Sequence, residues 1–159
     1  MYYCLIYVLT CGIIKILKCK EEDTIMEIID LNEEQAEEIN NALQNYNNEH
    51  IRYRINGSIA IGIRDNGKIV AGLVAYMTVY RILYVDTVFV NEQYRRKGYG
   101  RCLMEEMEKQ AKEKGATIVR LDTFDWQGKD FYLSLGYREA GHYRSEEDDF
   151  EEYFFVKMI

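Results

Sequence analysis

The chain has 159 residues, enough for one domain with a real core. Apolar residues make up 48% and charged residues 30%, an ordinary globular composition, and the formal net charge is −7. That acidic balance argues against nucleic-acid binding as the main role, and no proline, linker, repeat or low-complexity tract divides the chain.

The opening "MYYCLIYVLTCGII" is uncharged and is followed by "KILKCK". A secretory signal would need a basic residue before the apolar run and a small-residue cleavage site. As a helical span it would cover roughly 21 Å, against about 30 Å of hydrocarbon. No membrane role is therefore expected. Residues 1–25 are read as an extension of uncertain status or an overlong start, with an added strand or helix as the alternative. Residues 26–159 are read as one domain. Cys4, Cys11, Cys19 and Cys102 fit no metal-ligand spacing, so reduced thiols, a cytoplasmic location and no metal are expected.

"TIMEIID" reads as a strand. "LNEEQAEEINNALQNYNNEH" reads as a helix, with Asn32 as N-cap and Gln35 completing a capping box. Ala36, Ile39, Leu43 and Tyr46 share one face at helical spacing. "SIAIGIRDNGKIVAGLVAYMTVY" is a hairpin turning at Asn66-Gly67. "LYVDTVFV" is the next strand. "RCLMEEMEKQAKEKGA" is a helix lined by Leu103, Met104, Met107 and Ala111, with Gly115 closing it. "TIVRLDTF" is a strand, "WQGKDFYLSLGY" a short helix, and "YREAGHYR" and "EEYFFVKMI" the final strands, flanking the acidic "SEEDDFEE". The order β-α-β-β-β-α-β-α-β-β predicts an α/β fold, with a mixed central sheet flanked by helices.

"QYRRKGYG" joins a strand to a helix. Gly98 and Gly100 let the backbone turn tightly and approach a ligand. The first helical amides have no intrahelical acceptor and lie at the positive end of the helix dipole. Phosphate or pyrophosphate is the natural guest. Arg95, Arg96 and Lys97 add positive potential. The alternative is a solvated turn.

"VFVNEQYRRKGYGRCLMEEMEKQAKEKG", with "DFYLSLGYREAG" downstream, resembles the GNAT family of N-acetyltransferases over residues 26–159. The family's Gln/Arg-x-x-Gly-x-Gly/Ala motif stands as Arg95-Arg96-Lys97-Gly98-Tyr99-Gly100, and its second signature as Phe131-Tyr132 with Gly136-Tyr137. The resemblance implies the acyl-CoA N-acyltransferase fold and acetyl transfer from acetyl-CoA, by direct attack in a ternary complex, to a primary amine of a small cationic molecule or of a peptide or protein. Backbone amides from Arg96 to Arg101, including Tyr99, would hold the pyrophosphate. Val88, Phe89 and Val90 would meet the pantetheine arm, and Tyr132 would be the general acid. Many members carry Asn seven residues before that tyrosine, where this chain has Asp125. "DTFDWQGKDFY" is similar to a bacterial subgroup with an aromatic-Gln pair here, which adds Gln127 to the cofactor site.

An attacking amine must lose a proton and the leaving thiolate must gain one. Asp86, a carboxylate within an apolar strand, is the candidate base; its alternative is a salt bridge with Arg81 or Arg120. Tyr46 and Asn47 end the first helix, where the resemblance implies an acceptor wall; the alternative is core packing and a helix cap. His142 and Trp126 are read as packing or surface residues, and Cys102 as core. "EEYFFVKMI" would allow a homodimer or form an ordinary buried strand. Two other classes fit parts of the sequence: a non-catalytic acyl-CoA-binding module, and nucleic-acid binding through "YRRK".

Overall fold

A computed structural model describes residues 15–17, 26–52 and 54–159. The chain forms two compact units, Met1–His50 and Ile51–Ile159.

In the first unit, strand β1 (Lys15–Leu17) pairs antiparallel with β2 (Met26–Ile28), and helix α1 spans Glu33–His50. β1 adds one strand to the expected order. The other readings of residues 1–25 lie outside the described residues. α1 starts as its sequence predicts: Asn32 N donates to Gln35 Oε1 at 3.0 Å, and Gln35 N donates to Asn32 Oδ1 at 2.9 Å. Ile39, Leu43 and Tyr46 are exposed. No helix among the described residues is long and apolar enough to cross a membrane.

The second unit is a six-stranded sheet of order β3-β4-β5-β6-β8-β7. Its strands are β3 (Ser58–Asp65), β4 (Lys68–Met77), β5 (Ile82–Val90), β6 (Ile118–Phe124), β7 (Arg138–Ser145) and β8 (Phe150–Met158). All neighbours are antiparallel except β5 and β6. That parallel pair needs a crossover, which helix α2 (Tyr99–Glu113) supplies. Helix α3 (Lys129–Ser134) links β6 to β7. The β3–β4 turn has positive φ at both Asn66 (46°) and Gly67 (81°), the geometry for which Asn-Gly is suited.

Leu103, Met104, Met107 and Ala111 of α2 pack into a core with Ile59, Leu73, Leu83, Val119 and Phe155. Gly115, at φ 89°, ends the helix as expected. Cys102 corrects the sequence reading: it is exposed. It precedes the buried stripe by one position, and about 100° of helix turn carries it to the rim. Both edges of β8 are taken, by β6 and β7, so "EEYFFVKMI" is an interior strand; among the described residues β3 and β7 are the outer strands of the sheet. Lys157 on β8 reaches across to α2, 2.9 and 2.8 Å from the two Glu108 oxygens, and also donates to the Leu135 carbonyl.

Candidate active site

β5 and β6 are paired only at Ile82–Tyr84 with Ile118–Arg120. Beyond that point β5 stays paired with β4 as far as Val90, and β6 with β8 as far as Phe124. The two central strands therefore part along half their length. A β-bulge marks the place: Val74 faces Thr87 while Ala75 faces Val85, leaving Asp86 unpaired. A bulge bends its strand and increases the local twist.

The parted edge has defined chemistry. Asn91 N donates to Val70 O at 2.9 Å, and the adjoining pair is Val90 with Ala71. Hydrogen-bonded and non-hydrogen-bonded pairs alternate in an antiparallel ladder. Phe89 and Thr87 thus spend their backbone groups on β4, whereas Val88 and Val90 turn theirs toward the open edge. This separates three residues that the sequence grouped together. Phe89 offers no backbone group there, and its side chain is exposed on the sheet face.

At the end of β5 the chain makes a short 3-10 turn (Glu92–Tyr94), fixed by Asn91, whose side chain accepts from Gln93 N. Arg95 Nε donates to the Val90 carbonyl at 3.1 Å. Arg96 has φ 62° and Gly98 φ 85°, so left-handed residues alternate with ordinary ones just before α2. Such alternation turns successive amides toward one point and makes an anion-binding concavity. No side chain caps α2, so its first amides stay available. Lys97 lies over the Tyr94 ring at 5.1 Å. Arg96 has no partner among the described residues and is the cation of the three left free for a ligand.

The two glycines differ. A Cβ on Gly98 would meet nothing within 4 Å, so its positive φ is what requires glycine. A Cβ on Gly100 would lie 3.1 Å from Phe131 Cζ and 3.8 Å from Val90 Cγ2. Gly100 thus allows α2, β5 and α3 to converge. Arg101 ties the same helices together through Ser134 Oγ at 3.4 Å. Next to Phe131, Tyr132 is buried against Tyr137 and Phe155. Its hydroxyl makes no hydrogen bond among the described residues. Burial, helped by the Asp122 charge, pushes its pKa up to about 12.

Other expected residues fall elsewhere. Asp86 is exposed rather than enclosed by apolar neighbours, because the bulge releases it from the strand's alternation. It accepts from Thr87 Oγ1 at 2.9 Å and forms no ion pair among the described residues; Arg120 lies over the Tyr84 ring instead. Gln127 commits its side-chain oxygen to the turn before α3, accepting from Phe124 N at 3.0 Å and Thr123 Oγ1 at 3.2 Å. Asp125 is exposed. Tyr46 and Asn47 lie in the first unit, where Tyr46 stacks on His50. His142 sits 2.7 Å from Glu139, and Trp126 stacks on Phe124. Sequence reasoning missed Tyr84 and Asp122, which bond at the fork where β5 and β6 begin to part, at 2.5 Å. Among the described residues no group of His, Cys, Asp or Glu could hold a metal ion.

The model of the acetyltransferase (GNAT) family matches residues 25–137. The chain belongs to that family. GNAT enzymes take their acyl group from acetyl-CoA. An acetyltransferase from Bacillus cereus is 30% identical in sequence; the match covers 83% of this chain and 96% of that one, with a TM-score of 0.77. Among curated proteins, an L-ornithine N5-acetyltransferase from Arabidopsis thaliana is 33% identical over 45% of this chain and 35% of its own length. A thialysine N-epsilon-acetyltransferase from Sus scrofa is 30% identical over 46% of this chain and 47% of its own length. The chain thus matches about half or less of each curated relative.

Proposed function

We propose that this GNAT protein transfers the acetyl group of acetyl-CoA to a primary amine of a small cationic acceptor, by direct attack within a ternary complex in the cytoplasm. The observation that carries this reading is the continuity of the open β5 edge with the uncapped start of α2. The backbone groups of Val88 and the Val90 N–H are free to pair with an extended amide-bearing chain, while the Val90 carbonyl is held by Arg95. The amides from Arg96 to Arg101, with the Arg96 guanidinium, are placed for a multiply charged phosphate. Support for a small amine comes from the two curated relatives, whose names describe acetylation at the side-chain nitrogen of an amino acid.

In the reaction the amine nitrogen forms a C–N bond as the C–S bond breaks. The nitrogen loses a proton and the sulfur gains one. Tyr132 is the residue assigned to the sulfur. Its pKa of about 12 exceeds that of an ordinary thiol, about 8.5, so outright proton transfer would be uphill by about 5 kcal/mol. The Tyr132 hydroxyl therefore stays protonated and serves as a hydrogen-bond donor to the developing thiolate, whose proton comes from solvent. The exposed Asp86 is proposed as a relay for the amine proton through water rather than as a buried base.

Thiol release from acetyl-CoA in the presence of a panel of primary alkylamines tests the reading. Turnover with at least one amine is expected. Acetyl-CoA binding without turnover on any amine would favour a binding module.

A further inference from the structure

Tyr84 is the last β5 residue paired with β6, opposite Arg120. Asp122 is two residues further along β6, on the same face of the sheet. The Tyr84 hydroxyl donates to Asp122 Oδ1 at 2.5 Å, a bond between positions 38 residues apart. It lies at the fork where β5 and β6 begin to part, on the face opposite α2, because Val119, Leu121 and Thr123 point into the core while Asp122 does not. The second Asp122 oxygen has no hydrogen-bond or ion-pair partner among the described residues. The side chain is half-buried, and the neighbouring guanidinium, Arg120, is engaged with the Tyr84 ring at 5.2 Å. A half-buried carboxylate without a counter-ion is costly unless a cation completes it.

The surroundings suit an organic cation. Phe154 stands directly across from Asp122 on β8, and Tyr143 lies 6.0 Å from Phe154. Tyr76 lies 5.3 Å from Tyr84. Phe154, Tyr143 and Tyr76 are all exposed. Aromatic faces beside a carboxylate favour alkylammonium groups through cation–π attraction and charge together.

We infer that Asp122, oriented by the Tyr84 hydroxyl, is the counter-ion for the acceptor's ammonium group and sets the preference of the site for primary alkylamines. This rests on the acetyltransferase reading above and adds its specificity determinant. Asp122 touches the acceptor; Tyr84 is a positioning residue. The Asp122 charge also reaches the Tyr132 hydroxyl, whose pKa it helps to raise, so the ammonium position is within electrostatic range of the residue assigned to the sulfur.

The test compares Asp122→Asn and Tyr84→Phe with the unaltered protein. The substrate is the best amine from a panel of alkyl monoamines and diamines, and acetyl-CoA affinity is measured separately by calorimetry. Asp122→Asn should raise the KM of the amine on the order of 10- to 100-fold, with kcat changed far less and acetyl-CoA affinity unchanged. Tyr84→Phe, which keeps its ring, should raise the same KM by about 3- to 10-fold, a split that mere loss of packing would not produce. An unaltered amine KM in both variants overturns the inference, as does a loss confined to kcat or to acetyl-CoA affinity. Should Asp122→Asn not fold, the Tyr84→Phe result decides alone. If the unaltered protein acetylates no amine, the acetyltransferase reading itself fails and takes this inference with it.

Discussion

Gly100 and Phe131 lie so close that a Cβ at position 100 would sit 3.1 Å from the Phe131 ring, which would have to shift by a few tenths of an ångström to admit it. One residue belongs to the glycine turn and the other precedes Tyr132, so this contact sets the distance between the proposed phosphate site and the proposed sulfur site. Gly100→Val should lower stability by about 1–3 kcal/mol and weaken acetyl-CoA binding, as α3 is pushed aside. Denaturant melts and calorimetry would check both.

Arg96 holds a left-handed conformation that costs a non-glycine residue about 1 kcal/mol. Its guanidinium has no partner among the described residues to compensate. Arg96→Gly should therefore stabilise the fold slightly, by up to about 1 kcal/mol, while weakening acetyl-CoA binding roughly 5- to 10-fold. A gain in Tm together with a loss of affinity is the expected signature; a loss of both would assign Arg96 a structural role.

Tyr132 couples function to alkaline stability. Its pKa is raised from 10.0 to about 12 by burial and then by the Asp122 charge. A raised pKa means that stability is fully present below pH 10 and is lost as pH rises toward 12, because the unfolded chain releases the proton first. Tyr132→Phe should remove about 2 kcal/mol of that alkaline loss between pH 10 and 12. Loss of its hydrogen bond to the developing thiolate should also lower kcat about 100-fold at pH 7 while leaving acetyl-CoA affinity nearly unchanged. Urea melts at several pH values and steady-state kinetics would test the pair.

The Lys157–Glu108 pair fastens β8 to α2, and the Tyr137 hydroxyl donates to the same Glu108 at 3.0 Å. Burial and the Glu108 charge raise the Tyr137 pKa. Glu108→Gln leaves a half-buried ammonium without its counter-charge and should cost about 2 kcal/mol or more in stability. Thermal unfolding would measure it, and acetyl-CoA affinity should change little at temperatures where the variant is folded.

Local chemistry made much of this protein legible in its sequence. The Asn32–Gln35 box, the Asn66-Gly67 turn, the α2 stripe and the Gly115 stop all depend on near neighbours in the chain. The glycine turn was readable for the same reason. What escaped depends on pairing between distant segments. The bulge that exposes Asp86 is a matter of register between β4 and β5, which the alternation of one strand does not reveal. Tyr84 and Asp122 meet only because β5 and β6 run parallel and then part. Gln127 illustrates another limit: its residue type suits a ligand, but its side-chain oxygen is committed to the turn that starts α3.

The most direct test of the central claim is a calorimetric titration of the protein and of Gly98→Glu with acetyl-CoA. A Cβ at Gly98 meets no neighbour, although its φ of 85° is strained for glutamate, so a melt should accompany the titration. Binding in the micromolar range by the unaltered protein, lost in a folded Gly98→Glu, is the predicted result and places acetyl-CoA on the turn before α2. Equal binding by both proteins, or none by either, would contradict it.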